Sequence, residues 1–434
     1  MRDGTVLCTT VCFIAALLFV APARAQLFGI PEVNVPLPRA GEVPDSGPIG
    51  VLDRPRPELD PQGFRYSGLT ILPSLSAGPI FDSNIFVTAS NATSDILFVE
   101  HPALRVDSER GLLSFTFSAY GDFFQYVNNS QLGNTNGGVL LGLRGDLSPA
   151  LLLESQTSVV YGHQDPSAFA TSIANGPVPY LPAYTQLSQT LSATRELGML
   201  AASLSGSFRR STFQNVVING ALLNQSQFNG NVYTVSPKLS YLISPPTWLY
   251  VQATYERTSY DVSSGLESSS FAAVLGSDFE IRRLLRGNVY AGYRDRIYDS
   301  SGNSVSGFTY GLDVAWYPTE ILTAKLSGRQ DFSDSAFQGA GTSASVINVK
   351  TIQARLDYEA TREIILSGVI GYENDSYQST TRTDNNLRLG TAVKYMLGPH
   401  AALDLHYLYS MRRSTQADFN YDRQQVGLSI KLQY

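Results

Sequence analysis

The chain has 434 residues, and only 16% of them are charged, whereas an ordinary soluble domain carries roughly 25%. Tyrosine, phenylalanine and glycine are plentiful, and the formal net charge is −6. A mildly acidic chain without a basic patch is a poor candidate for binding nucleic acid. Its uniform composition after about residue 66 favours one large domain over several.

Residues 1–25 have the features of a secretory signal peptide. An apolar run extends from Val11 to Ala21, and Ala23-Arg24-Ala25 provides an A-x-A cleavage site. Both cysteines, Cys8 and Cys12, precede or begin that run instead of following it, which disfavours a lipoprotein. After cleavage the chain has no thiol for a disulfide, a metal or redox chemistry.

Residues 26–65 carry eight prolines. Proline lacks the amide proton that a β-ladder needs and restricts the preceding residue, so this segment is expected to be extended or disordered. Two interpretations follow: a periplasmic tether, or an arm that folds into a barrel or docks a periplasmic partner. It is too short for the globular plug of a TonB-dependent transporter.

From Tyr66 to the end, segments with period-two alternation follow one another, and each is long enough to cross a membrane as a tilted strand of about 9 to 11 residues. Eight tight turns and nine longer loops, rich in Ser, Asn, Gly and Thr, separate eighteen such segments. The tight turns are residues 107–111, 147–150, 194–198, 243–247, 282–287, 317–320, 360–363 and 397–400.

This alternation of short turns and longer loops is typical of bacterial outer-membrane barrels. We therefore predict an all-β fold, a transmembrane antiparallel up-and-down barrel of about eighteen strands over residues 66–434, with both termini in the periplasm. A propeller is the alternative at a repeat of about forty residues, but its strands are shorter. The mature chain has no run of about 18 apolar residues that could form a transmembrane helix.

One face of each predicted strand is apolar and is expected to contact lipid, with aromatic girdles at both ends. The girdle residues expected at the turn side are Trp248, Trp316, Tyr395 and Tyr434, and those at the loop side are Tyr255, Tyr293, Tyr372 and Tyr409.

The opposite, polar face is expected to line the lumen. Its signs are mixed, so the side chains could select ions or pair across strands and hold the wall rigid. The candidate lumen residues are Arg144, Asp146, Glu154, Glu256, Asp278, Glu280, Arg294, Arg296, Asp313, Lys325, Arg329, Arg355, Asp357, Arg388, Lys394, Asp404 and His406.

The chain ends on a strand whose apolar face finishes with an aromatic residue. This face comprises Val426, Leu428, Ile430, Leu432 and Tyr434. The pattern resembles the closing strand of outer-membrane barrels, whose terminal aromatic is read by the β-barrel assembly machinery. Truncation of Tyr434 should therefore impair insertion, as measured by the inserted fraction of the protein.

Chemistry at a site is weakly indicated. Asp82 and Asn84 offer two oxygen ligands, too few for calcium, and such residues are ordinary turn formers at strand ends. Asp404, His406 and Ser410 share a polar face, but spacings of two and four along a strand hold them about 7 and 13 Å apart. We therefore expect no enzyme, no metal and no cofactor.

The stretch Gly78 to Phe86, the turns in which Pro or Thr precedes aliphatic residues, and the terminal strand resemble the putative β-barrel porin 2 family of bacterial outer-membrane proteins. The resemblance covers residues 66–434 and implies the cell outer membrane, with its lipid, as the location. Some members are associated with exopolysaccharide export, so it also implies a channel for polar solutes or a glycan, with periplasmic export components as partners. A general small-solute porin and a structural barrel without an open pore remain alternatives.

Overall fold

One antiparallel sheet runs through the described part of the chain in the computed structural model. The structure describes residues 48–108, 111–148, 150–164, 181–218, 221–262, 265, 267–299, 304–334, 346–378 and 381–434. Within them the sheet comprises eighteen long strands: β1 (Leu69–Asp82), β2 (Asp95–Ser108), β3 (Leu113–Tyr126), β4 (Asn134–Ser148), β5 (Leu151–His163), β6 (Ala183–Leu197), β7 (Leu200–Phe213), β8 (Gly230–Ser244), β9 (Thr247–Tyr260), β10 (Ser268–Ile281), β11 (Leu285–Tyr298), β12 (Ser304–Thr319), β13 (Leu322–Asp334), β14 (Val346–Glu359), β15 (Ile364–Tyr377), β16 (Thr383–Gly398), β17 (Ala401–Ser414) and β18 (Tyr421–Gln433).

The sheet closes on itself. Every long strand pairs antiparallel with the strand before it and the strand after it. The last strand, β18, pairs with β1 from Ser74 opposite Gln433 to Asp82 opposite Gln425. The predicted eighteen-stranded, up-and-down barrel is therefore confirmed.

The tight turns lie where the sequence predicts them. Gly198 and Met199 alone separate β6 from β7, and Gly198 has a φ of +71°, a conformation that glycine adopts without steric cost. We call the barrel end that carries these turns, together with the start of β1 and the end of β18, the turn end. The opposite end is the loop end.

Several smaller elements complete the described structure. A short strand, Phe64–Tyr66, pairs with the start of β1, and Val216–Ile218 forms a small hairpin with Ala221–Leu223 at the loop end. Three short 3-10 turns are Ser130–Leu132, Ser226–Phe228 and Ala417–Phe419. Among the described residues, no helix is long and apolar enough to cross a membrane.

Some sequence predictions fall outside the described residues. These are the signal peptide at residues 1–25 and the first part of the proline-rich segment at 26–47. Most of one of the nine longer loops, at residues 163–183, also lies outside them.

Exposure alternates along the strands with the predicted period of two. On β9, Val251 is 53% exposed whereas Tyr250 is 4% exposed, because successive side chains point to opposite faces of a sheet. Large apolar side chains occupy the outer face, and the girdle residues Trp316 and Tyr293 are about half exposed there.

One girdle prediction is wrong. Trp248 is only 2% exposed. It lies two residues before Tyr250 on β9, so both side chains point into the barrel. The sequence suggested the girdle because Trp248 lies beside a tight turn. The alternation of side chains along the strand, however, places Trp248 on the inner face.

Candidate functional site: the interior of the barrel

The enclosed face of the barrel carries its polar and charged side chains. All of the candidate lumen residues named above lie on this face. The strand registers show this, because each inward-facing residue is paired with an inward-facing residue of the next strand around the barrel. Their role as a channel lining stays a prediction. The structure adds which of them contact each other.

Charged side chains on β9 to β13 form close ion pairs near the loop end. Arg296 contacts Glu256 at 2.7 Å, and both side chains are at most 4% exposed. Arg294 contacts Asp331 of β13 at 2.7 Å. Burial of such groups is tolerated only when they are paired, so these contacts fix the wall there.

Two further networks lie along the same half of the barrel. Lys238 contacts Asp278 at 2.8 Å and lies 3.8 Å from the centre of the Tyr250 ring. Arg355 donates to Asp357 at 3.0 Å, and Ser367 donates to the same carboxylate at 2.6 Å. The mixed signs on this wall are therefore arranged as neighbouring opposite charges.

The remaining candidates show different surroundings. Arg144 contacts Asp146 at 3.1 Å and stands opposite Glu154, while Lys394 stands opposite Asp404. Other cross-strand neighbours are Glu280 with Arg286, Lys325 with Arg355, and Arg388 with Ser410. Asp313 and Arg329 are exposed on the enclosed face.

The pairing of neighbouring strands does not support a catalytic site at Asp404, His406 and Ser410. His406 stands opposite Ala392 and Gly427, whereas Asp404 stands opposite Lys394. Neighbouring strands therefore supply His406 with neither an acid nor a nucleophile directly across from it. Among the described residues, no group of three or more His, Cys, Asp or Glu side chains could hold a metal ion.

A second half of the wall differs in chemistry, and sequence reasoning missed it. On β6 and β7, six of the hydroxyl side chains that face the interior lie close together without a charged residue among them, and all six are half-buried. We call this set the hydroxyl strip: Ser188, Thr190, Ser192, Ser203, Ser205 and Ser207. Each residue is ordinary alone, so only the register, which pairs Thr190 with Ser207 and Ser192 with Ser205, reveals the surface.

Several interior rings lie over glycines of the neighbouring strand. Tyr290 stands opposite Gly311, and a Cβ added to Gly311 would overlap with the Tyr290 ring. Because glycine has no side chain there, the ring packs against bare backbone. The same arrangement joins Tyr120 with Gly138, Tyr184 with Gly162, Tyr250 with Gly276, and His406 with Gly427.

The described end of the proline-rich segment docks inside the turn end, and we call residues 48–63 the arm. Val51 is completely buried in an apolar cluster with Ile365, Met396 and Ala402 of β15, β16 and β17. The Val51 amide donates to Thr323 Oγ1 at 2.9 Å. Over these residues the expectation of an extended or disordered segment is wrong, because the wall provides an apolar pocket for Val51.

Charge fixes the arm as well. Arg56 contacts Glu359 at 2.6 Å, and both side chains are at most 7% exposed. Arg54 reaches the same carboxylate at 3.4 Å and donates to the Glu320 carbonyl. Glu58 forms only an exposed pair with Arg362. The described contacts of the arm thus gather on β13 to β17 and the turns beside them.

Asp82 and Asn84 join the first and last strands at the loop end. Asp82 is fully buried and accepts hydrogen bonds from Arg423 and Gln425 of β18. The Asn84 amide donates to the Asp422 carbonyl at 3.1 Å. The Asn84 backbone amide also donates to Asp82 Oδ1 at 3.0 Å, so the two residues form a turn at the strand end as predicted. The same carboxylate binds the Arg423 guanidinium.

The terminal strand contacts the residues that precede β1. Tyr434 stacks on Phe64 with ring centres 4.0 Å apart, and its amide donates to the Pro73 carbonyl. Tyr434 and the outward residues Val426 to Leu432 are 43 to 50% exposed. That the assembly machinery reads them stays a prediction.

Two exposed ion pairs lie on the outer face of the barrel at the loop end. Arg210 contacts Asp261, and Arg257 contacts Asp299. Both acids lie in loops beyond the strands, and the hydrogen bond from the arginine lowers the pKa of each carboxyl. These pairs lie outside the interior site.

A closed antiparallel barrel with an apolar exterior and a polar interior defines a porin-like outer-membrane β-barrel. A family comparison gives the same class: the model described as putative beta-barrel porin 2 matches residues 56–434. The chain belongs to this porin family, and membership suggests a channel rather than an enzyme.

Solved structures to which the chain is similar include OpdK of Pseudomonas aeruginosa crystallised with vanillate, with 12% identity, a TM-score of 0.45, and coverage of 84% of this chain and 99% of that one. OpdL of Pseudomonas aeruginosa has 12% identity and a TM-score of 0.45, with coverage of 85% and 99%. A BenF-like porin of Pseudomonas fluorescens Pf-5 has 12% identity and a TM-score of 0.45, with coverage of 84% and 99%. No curated protein matches the chain.

Proposed function

We propose that the protein is an open outer-membrane channel that passes polar solutes through the interior of the barrel. The observation that carries this proposal is the half-exposed polar wall, with the hydroxyl strip on one side and Asp313 and Arg329 exposed on the other. Barrels of sixteen to eighteen strands can enclose an aqueous channel. A barrel filled for structural purposes alone would not leave such side chains accessible.

The arm is compatible with an open channel. Its described contacts are made with β13 to β17, so they leave the strands across the barrel uncovered by this segment. We therefore treat the arm as a partial constriction of the turn end.

Conductance in planar lipid bilayers tests the channel. We expect stepwise ion conductance from the purified, heat-modifiable protein. A folded protein that inserts but conducts nothing would make it a structural or docking barrel instead.

The finer proposal concerns the solute: the conduit serves an exopolysaccharide or a similar polar glycan, together with periplasmic export components. The wall has side chains that donate and side chains that accept hydrogen bonds, as binding of sugar hydroxyls requires. The resemblance to family members associated with exopolysaccharide export is the second support. The alternative is a general small-solute porin.

A gene deletion separates these two. Loss of a surface polysaccharide with normal uptake of small solutes is the outcome expected of an export conduit. Slowed solute uptake with normal polysaccharide would identify a general porin.

A further inference from the structure

The hydroxyl strip is a continuous surface. Thr190 stands opposite Ser207 and Ser192 opposite Ser205, so the side chains of β6 and β7 lie side by side on the enclosed face. At the turn-end limit of the strip, Ser203 stands opposite Thr194, and their hydroxyls are 2.9 Å apart. Ser205 also donates to the Ser236 carbonyl of β8 at 3.3 Å.

Charged groups border the strip but do not interrupt it. Arg209 stands opposite Ser188 toward the loop end, and Lys238 stands opposite Ser203 toward the turn end. On β5, Glu154 stands opposite Ser192 and accepts a hydrogen bond from its hydroxyl at 3.5 Å. Lys238 itself contacts Asp278 at 2.8 Å. The strip therefore offers only groups that both donate and accept hydrogen bonds.

The arm docks on the opposite wall. Ile365, at the centre of the Val51 pocket, belongs to β15. In a closed ring of eighteen strands, β15 is nine strands from β6 in either direction. The segment that covers part of the turn end thus leaves the strip side free of its described contacts.

From these observations we infer that the solute path runs off-centre along the hydroxyl strip, and that it takes uncharged polyhydroxylated solutes of the neutral oligosaccharide class. The inference rests on the proposed channel function and names its substrate class. Sugar hydroxyls also donate and accept, so they can replace water along the strip. An anionic solute would instead have to leave water for uncharged hydroxyls, one of which already contacts the Glu154 carboxylate.

The test measures block of the ion current by added oligosaccharide. Maltohexaose is the neutral probe, and hexagalacturonate is the anionic probe of similar length. The strip variant combines Ser188→Ala, Ser205→Ala and Ser207→Ala, and the control combines Ser327→Ala and Thr351→Val, two interior hydroxyls of the other wall. Heat-modifiable migration verifies that both variants fold.

We expect maltohexaose to block the wild-type current. The strip variant should weaken this block about tenfold or more, because each lost hydrogen bond is worth severalfold in affinity. Maltohexaose should block the control variant as tightly as the wild type.

Equal weakening in both variants overturns the inference, as does tighter block by hexagalacturonate or no block of a conducting pore by maltohexaose. If the folded protein shows no ion conductance, the proposed channel function itself is refuted, and the inference about the solute path with it.

Discussion

At the scale of single residues, Asp82 shows how one carboxylate can hold a barrel closed. It is completely buried, and it accepts from Arg423, 341 residues away in sequence, at 2.5 Å. A buried charge needs a paired partner, and here the partner lies on the other side of the closure between β1 and β18.

We predict that Asp82→Ala destabilises the barrel by about 3 to 5 kcal/mol, because the buried Arg423 guanidinium loses its counter-charge. The measurement is the midpoint of urea unfolding in detergent, followed by heat-modifiable migration. Asp261→Ala is the matched control, since Asp261 pairs with Arg210 at the surface, and surface pairs contribute little. Equal midpoints for the two variants would contradict the role of Asp82.

At the scale of strands, the interior is shaped by rings that lie over glycines. Gly311 on β12 stands opposite Tyr290 on β11, and the three atoms closest to a Cβ at Gly311 all belong to the Tyr290 ring. The pair keeps a bulky side chain against the wall.

Gly311→Ala should therefore force the Tyr290 ring away from the wall and into the lumen. We expect a smaller single-channel conductance and a loss of stability of about 1 to 3 kcal/mol, as for other overpacked sites. The double variant Gly311→Ala, Tyr290→Ala should recover the conductance.

Gly368→Ala is the control for this experiment, because a Cβ there has no atom within 4 Å. If Gly311→Ala and Gly368→Ala conduct alike, the ring does not depend on the glycine.

At the scale of the whole molecule, the arm connects the segment before the barrel to five of its strands. The buried Arg56–Glu359 pair and the Val51 pocket hold it inside the turn end. These contacts span about three hundred residues of sequence, so they form only after those five strands have folded.

Deleting residues 26–63 should widen or open the pore, which is measured as an increase in single-channel conductance. Val51→Asp should act in the same direction while keeping the chain length, because it places a carboxylate in an apolar pocket. Glu58→Gln should change nothing, since Glu58 and Arg362 are more than 70% exposed. Unchanged conductance in both the deletion and Val51→Asp would show that the arm does not constrict the pore.

The sequence by itself determined the strands and their connections. Period-two alternation marks each strand and the turn residues mark each end, and both signals are local, so eighteen strands could be counted before any contact was known. Alternation also separates the two faces, as Val251 and Tyr250 illustrate.

The tertiary structure alone decided what faces what across the barrel. The docking of Val51, the Asp82–Arg423 pair and the position of the hydroxyl strip across the barrel from the arm all relate residues that are distant in sequence. Local patterns carry no information on such contacts, because they arise only when ring closure sets which strands lie nine apart.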